Sequence, residues 1–146
     1  VENKLWEAWE LFKDNNCIAL LAKLGSVKFL TQKFLKIWHA ENIKFYVKNN
    51  VLKKVSAKNF DAVKFLKGEA PISYLSACVA ANKQVEDDFL ISVVKSAKKI
   101  NELGCVVWCL GKLGKDTLLY NLLNELDFIE EKLPIEIWEP EFYGLA

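Results

Sequence analysis

Apolar residues return at three- and four-residue intervals along most of this 146-residue chain, and no stretch settles into the two-residue alternation of a half-buried strand. Val27, Leu30, Phe34 and Trp38 recur at helical spacing, with Lys28, Gln32 and Lys36 on the other side. Leu119, Leu122, Leu126, Ile129 and Leu133 alternate steps of three and four, a seam that predicts one buried helix face. This periodicity predicts an all-α chain.

Punctuation divides it into short elements. Only three prolines occur. Gly25, Gly68, Gly104, Gly111 and Gly114 stand where helices are expected to stop, because glycine tolerates the left-handed conformation that closes a helix. Ser26, Ser56 and Asp116 suit N-caps, and Pro71 suits a first helical position. The resulting units are 2–13, 16–24, 27–38, 40–55, 57–67, 71–82, 85–103, 105–113 and 117–132. The expectation is a compact bundle of eight or nine short helices arranged as helical hairpins. One domain is expected over 1–133, followed by an irregular acidic and aromatic tail over 134–146.

A chain that is 52% hydrophobic, with five Trp and nine Phe, can build an aromatic-rich core without disulfides or a structural metal. The longest uncharged run, residues 70–82, falls short of the roughly 20 residues a spanning helix needs. The N-terminal stretch is charged throughout and has no apolar core of a secretory signal. A first residue of Val and the lack of Met suggest a processed or excerpted chain. Cys17, Cys78, Cys105 and Cys109 lie inside apolar helical patterns, which predicts free thiols in a reducing, cytoplasmic compartment.

The segment GCVVWCLGKLG, residues 104–114, places Cys105 and Cys109 one helical turn apart. A structural zinc site usually takes four Cys or His ligands, and the other candidates, Cys17, Cys78 and His39, are isolated in sequence. The pair is therefore expected to be core residues beside Trp108. CIALLAKLGS (17–26) also echoes VVWCLGKLGK (106–115), both ending in Lys-Leu-Gly; duplication and two solutions to one local problem both explain this.

No sequence constellation points to catalysis. His39 is the only histidine and stands at a helix junction, where solvation or capping explains it. Glu86, Asp87 and Asp88 suit a helix start, where the dipole favours acids. No phosphate-loop, dinucleotide or zinc-protease motif occurs. The chain is expected to be non-catalytic, with no cofactor and no metal.

Charge is the most informative feature. Residues 23–67 hold 11 Lys against Glu41 and Asp61, whereas residues 116–146 hold eight acids against Lys132 alone. Solvated helix faces account for such a distribution without any partner. The functional reading is a protein–protein interaction module, an adaptor, chaperone-like or assembly component. Its candidate partner-binding residues are Lys28, Lys33, Lys36, Lys44, Lys48, Lys53 and Lys54, together with Trp138, Phe142 and Tyr143 of the tail. The partner would be another protein or a second copy, and the tail would dock on its own chain's basic surface, on another subunit or on another protein. A second reading is a helical pocket for a small apolar ligand, lined by Trp108, Phe89 and Tyr74. A third is nucleic-acid or anionic-surface binding through 23–67, with Phe34, Trp38, Phe45 or Tyr46 stacking on bases. All 20 basic residues are Lys, and the absence of Arg counts against nucleic acid.

Overall fold

In the computed structural model, residues 1–125 are described. They form nine α-helices and one short 3-10 turn, and no strand occurs among them. The chain is all-α, as its periodicity predicts. No helix of the described residues is long and apolar enough to cross a membrane. The chain divides into two compact units, Val1–Lys64 and Phe65–Ala146.

The first unit contains α1 (Glu2–Phe12), α2 (Asn15–Leu24), α3 (Val27–His39), α4 (Phe45–Lys58) and the 3-10 turn Phe60–Val63. Helices α1 and α2 form a hairpin whose turn is two residues long. Lys13 takes a left-handed conformation (φ 53°) and its N–H donates to the Trp9 carbonyl, closing α1. Asp14 then caps α2, its carboxylate accepting from the Asn16 N–H at 2.9 Å. Ser26 caps α3 as expected, its Oγ accepting from the Phe29 N–H at 3.2 Å. The Ser26 N–H in turn donates to the Glu2 carboxylate, tying the α2–α3 junction to the start of α1. That bond holds the Glu2 carboxyl below its ordinary range. Trp6, Trp9, Phe29, Phe34 and Ile37 lie in the core of this unit.

The second unit contains α5 (Leu66–Glu69), α6 (Pro71–Ala81), α7 (Asp87–Ser96), α8 (Ile100–Lys112) and α9 (Asp116–Glu125). Pro71 stands at the first position of α6, where its missing N–H costs nothing. Asp87 and Asp88 occupy the first turn of α7, and Asp87 pairs with Lys115 at 2.8 Å. Helix α8 packs on α6, α7 and α9. Leu122 of the predicted seam is buried on α9 and Leu119 is half-buried. Leu126, Ile129, Leu133 and the whole of the expected tail lie outside the described residues.

Several boundaries differ from the sequence reading: the helix expected from 40 begins at Phe45, and Gly68 and Gly111 lie inside α5 and α8 rather than after a helix end. Ser56 is not an N-cap but a buried residue within α4, which continues because Val51, Leu52 and Val55 extend its buried face. The helix expected at 57–67 becomes the 3-10 turn and α5. Gly104 does not stop a helix: α8 runs through it, and the break falls at 97–99 instead. There the Ser96 hydroxyl donates back to the Val93 carbonyl, and the Glu102 carboxylate in the first turn of α8 accepts from the Lys98 N–H at 3.1 Å, tying the helix start to the break. A mid-helix glycine costs only about 1 kcal/mol against alanine, which a buried helix face overrides.

The two Lys-Leu-Gly ends are closed by different physics. Gly114 has φ +73°, with open space where a Cβ would sit, and the Lys115 N–H reaches the Leu110 carbonyl at 2.9 Å. Gly25 is extended, and a Cβ there would lie 2.7 Å from the Leu21 carbonyl and 3.3 Å from the Leu30 side chain. Gly114→Asn is therefore expected to stay within about 1 kcal/mol of the parent, because asparagine tolerates the left-handed region. Gly25→Ala is expected to destabilise by about 1–3 kcal/mol through overpacking. Urea denaturation of both variants checks the contrast, and equal effects would contradict it.

Candidate functional site

The cysteine pair resolves first. Helix α6 presents small residues, Ser73, Ser76, Ala77 and Cys78, on its buried side, which suits close packing by α8. Cys105 and Cys109 lie on the face of α8 that meets Ser76, with Sγ to Oγ distances of 3.8 and 4.0 Å. A hydrogen bond from Cys109 lowers the Cys105 pKa, whereas the same partner and burial push the Cys109 thiol well up. Burial also raises the Cys78 thiol. Among the described residues no group of three or more His, Cys, Asp or Glu is placed to hold a metal ion. All four thiols are free; three are buried and Cys17 is half-buried. Alkylation of the native protein at neutral pH should therefore modify Cys17 first and the other three only after unfolding, as read by peptide mass spectrometry. Rapid native labelling of Cys105 would mean that α8 opens locally.

The residues suggested for an apolar pocket are also in the second unit. Tyr74 and Phe89 meet edge to face at 5.6 Å, with the Lys67 ammonium 5.1 Å from the Phe89 ring centre. Trp108 is half-buried, with Lys112 5.6 Å from its ring centre.

The lysines of the first unit do not share one face. Lys33 reaches over Trp6 at 5.0 Å and Phe29 at 5.9 Å, on the opposite side of α3 from Lys28. Lys54 donates to the Lys23 carbonyl, and Lys53 is half-buried on α4, where burial lowers its pKa. These three are engaged in or laid along the body of the unit. Lys28, Lys36 and Lys44 are exposed, and Lys48 is half-buried on α4.

What the structure does bring together is a corner where α3 leads into α4. Ile43 is buried and pins the connecting turn. The core aromatic Phe34 stacks toward Trp38 (5.8 Å), which meets Phe45 (6.3 Å). Along this column burial falls from 1% exposed at Phe34 to 58% at Phe45. Leu35, one turn before Trp38, is 57% exposed, and Tyr46 is 51% exposed. These side chains are large, apolar and left in water beside Lys36, Lys44 and Lys48. Glu41, in the turn, is the one carboxylate of the connection.

The backbone adds to the positive character of this corner. Lys44 occupies the N-cap of α4 and offers no side-chain acceptor. The first-turn N–H groups of a 14-residue helix therefore present the positive end of its dipole beside Phe45. Lys48 stands one turn on from Phe45 on α4, and desolvation lowers its pKa. From sequence, Phe45 and Tyr46 stand out only as base-stacking groups. The signal missed was the missing cap, a lysine where Ser, Thr, Asp or Asn is usual.

No protein-family model, no curated protein and no solved structure matches the chain.

A lysine whose pKa is lowered by burial carries its full penalty below the lowered folded-state value, and the penalty is relieved as the pH rises from there to the unfolded-state value. Lys48→Met should accordingly raise the melting temperature slightly at neutral pH, since methionine keeps the stem and the helix propensity. A lower melting temperature would show that the Lys48 charge is satisfied in the fold.

Proposed function

We propose that the chain is a non-catalytic protein–protein interaction module, and that the α3–α4 corner of its first unit is the surface that binds. The observation that carries this reading is the outward run of the aromatic column to Phe45, flanked by Leu35 and by Lys36, Lys44 and Lys48. Large exposed apolar groups are an aggregation liability unless something covers them. Aromatic anchors ringed by charge are the composition of binding hot spots. The uncapped α4 N-terminus and the lysines favour a partner segment that carries carboxylates between its apolar anchors. Exposed ion pairs contribute only about 0–1 kcal/mol each, so the apolar anchors supply most of the affinity and the charges supply orientation. The role that follows is that of an adaptor, chaperone-like or assembly component.

Stacking on single-stranded nucleic acid would use the same aromatics. A fluorescent peptide alternating Glu with Trp and Leu separates the two readings when titrated against the full chain beside a single-stranded oligonucleotide. The peptide should bind, Phe45→Ala should weaken it by roughly tenfold or more, and the protein should stay folded because Phe45 is mostly exposed. Binding of the oligonucleotide alone, or a peptide affinity indifferent to Phe45→Ala, would refute this reading.

A further inference from the structure

The corner favours a partner that carries carboxylates beside apolar anchors, and the first unit presents such a group on its α1–α2 hairpin. Helix α1 ends in Glu10, Leu11 and Phe12, just before the turn into α2. Trp6 and Trp9 bury the inner face of α1. Leu11 and Phe12 are instead 77% and 76% exposed, the most exposed large apolar side chains of this unit's helices. Glu7 and Glu10 are exposed too; Glu7 stands one helical turn before Leu11 and Glu10 adjoins it. The last turn of α1 holds no basic residue. Glu10 therefore sits at the negative end of its own helix dipole, where a cation is the favoured neighbour. The corner has the opposite fault, with Lys44 at the positive, uncapped end of α4. Each helix end thus carries a charge of the wrong sign for itself and of the right sign for the other.

We infer that the α3–α4 corner of one copy of this chain takes the end of α1 of a second copy, with Leu11 and Phe12 seated against Leu35, Phe45 and Tyr46, and with Glu7 and Glu10 facing Lys36 and Lys44. This rests on the reading of the corner as a protein-binding surface, and it names the partner. Two observations support the match. The first is the charge complementarity of the two helix ends. Like charges are confined to Glu41 in the corner's turn and to Lys13, whose ammonium turns back over the Trp9 ring at 4.2 Å. The second is that one copy covers neither group, since Leu11, Phe12, Leu35, Phe45 and Tyr46 all stay more than half exposed within the chain. Two anchors on one side and three on the other make a small contact, so the association is reversible and depends on concentration. Each copy offers one patch of each kind. The contact is therefore heterologous, closing between copies that exchange ends or continuing from copy to copy.

The test is sedimentation velocity of the full chain over a concentration series. The parent should self-associate as its concentration rises. Leu11→Ser with Phe12→Ser on the end of α1, and separately Phe45→Ala on the corner, should each raise the dissociation constant about tenfold or more. The substituted side chains are mostly exposed, so circular dichroism melts should stay near the parent's. An equimolar mixture of the two variants should associate more tightly than either alone, because each supplies the patch the other lacks. A general loss of structure in either variant would not give this recovery. Glu7→Lys with Glu10→Lys should likewise weaken self-association, and mixing with a Lys36→Glu, Lys44→Glu chain should restore it. Association indifferent to Leu11 and Phe12, or mixtures that do not recover, overturn the inference. The fluorescent acidic peptide distinguishes the remaining failures. A chain that stays monomeric at every concentration yet binds the peptide overturns the second copy as partner and leaves the corner a binding surface. A monomeric chain that binds no peptide removes both.

Discussion

The first unit is organised around the way its chain turns from α3 into α4. Ile43 sinks into the core and fixes the turn, so the chain must re-emerge at once, and the residues that re-emerge are Phe45 and Tyr46. Trp38 is the hinge of this arrangement, with one side against buried Phe34 and the other against exposed Phe45. A column of three rings thus transmits the position of the core to the surface. Offset and tilted aromatic pairs contribute about 0.5–1.5 kcal/mol each beyond their burial, enough to hold Phe45 in one place while leaving its outer face to water. A surface anchored in this way is preorganised, and a partner that docks on it need not order it first.

The sequence made the class of fold legible and the use of its charges illegible. Helical spacing is a local property, and the stripes at Val27–Trp38 and around Leu122 survive into the structure. So do the Ser26 cap and Pro71, since each acts within one turn of its own position. Gly104, Ser56 and the two Lys-Leu-Gly ends show where local reasoning stops. Each residue type has a preferred use, but the packing of the neighbouring turn decides whether that use is taken. Gly25 and Gly114 read identically in sequence, yet one is required because a neighbouring carbonyl leaves no room for a Cβ and the other because φ is positive.

The lysines illustrate the same limit more sharply. Counted along the sequence, residues 23–67 form one basic block. Wrapped onto α3 and α4, that block is distributed around two cylinders. Lys33 lies over the Trp6 ring and Lys54 is bonded to a carbonyl, so neither is available to an outside partner without breaking an internal contact. The stems of such lysines cover apolar surface, and their role is as much packing as charge. Of the ten residues singled out from sequence as partner-binding, the corner retains Lys36, Lys44 and Lys48, and the three tail aromatics lie outside the described residues. Leu35, which no charge count would select, joins the corner because it is exposed beside the aromatic column.

Cys105 and Cys109 invite chemistry by their spacing, but Ser76 and close packing against α6 give them a different task. A hydroxyl within 4.0 Å of both sulfurs shares weak donors among three small polar groups inside an otherwise apolar interface. Residues of this size let two helices approach closely, as Gly and Ala do, while the polarisable sulfur adds dispersion contact that a methyl group cannot. Lys48 and the corner follow the opposite logic. There the fold leaves an ammonium partly dehydrated and a helix end without a cap, and it exposes aromatic groups that a core would normally take in. Each of these departures from local optimum disfavours the isolated surface by a small amount. All three are relieved together by a segment that brings carboxylates and apolar side chains at once, and a partner offering only one of the two relieves only part of the strain on that surface.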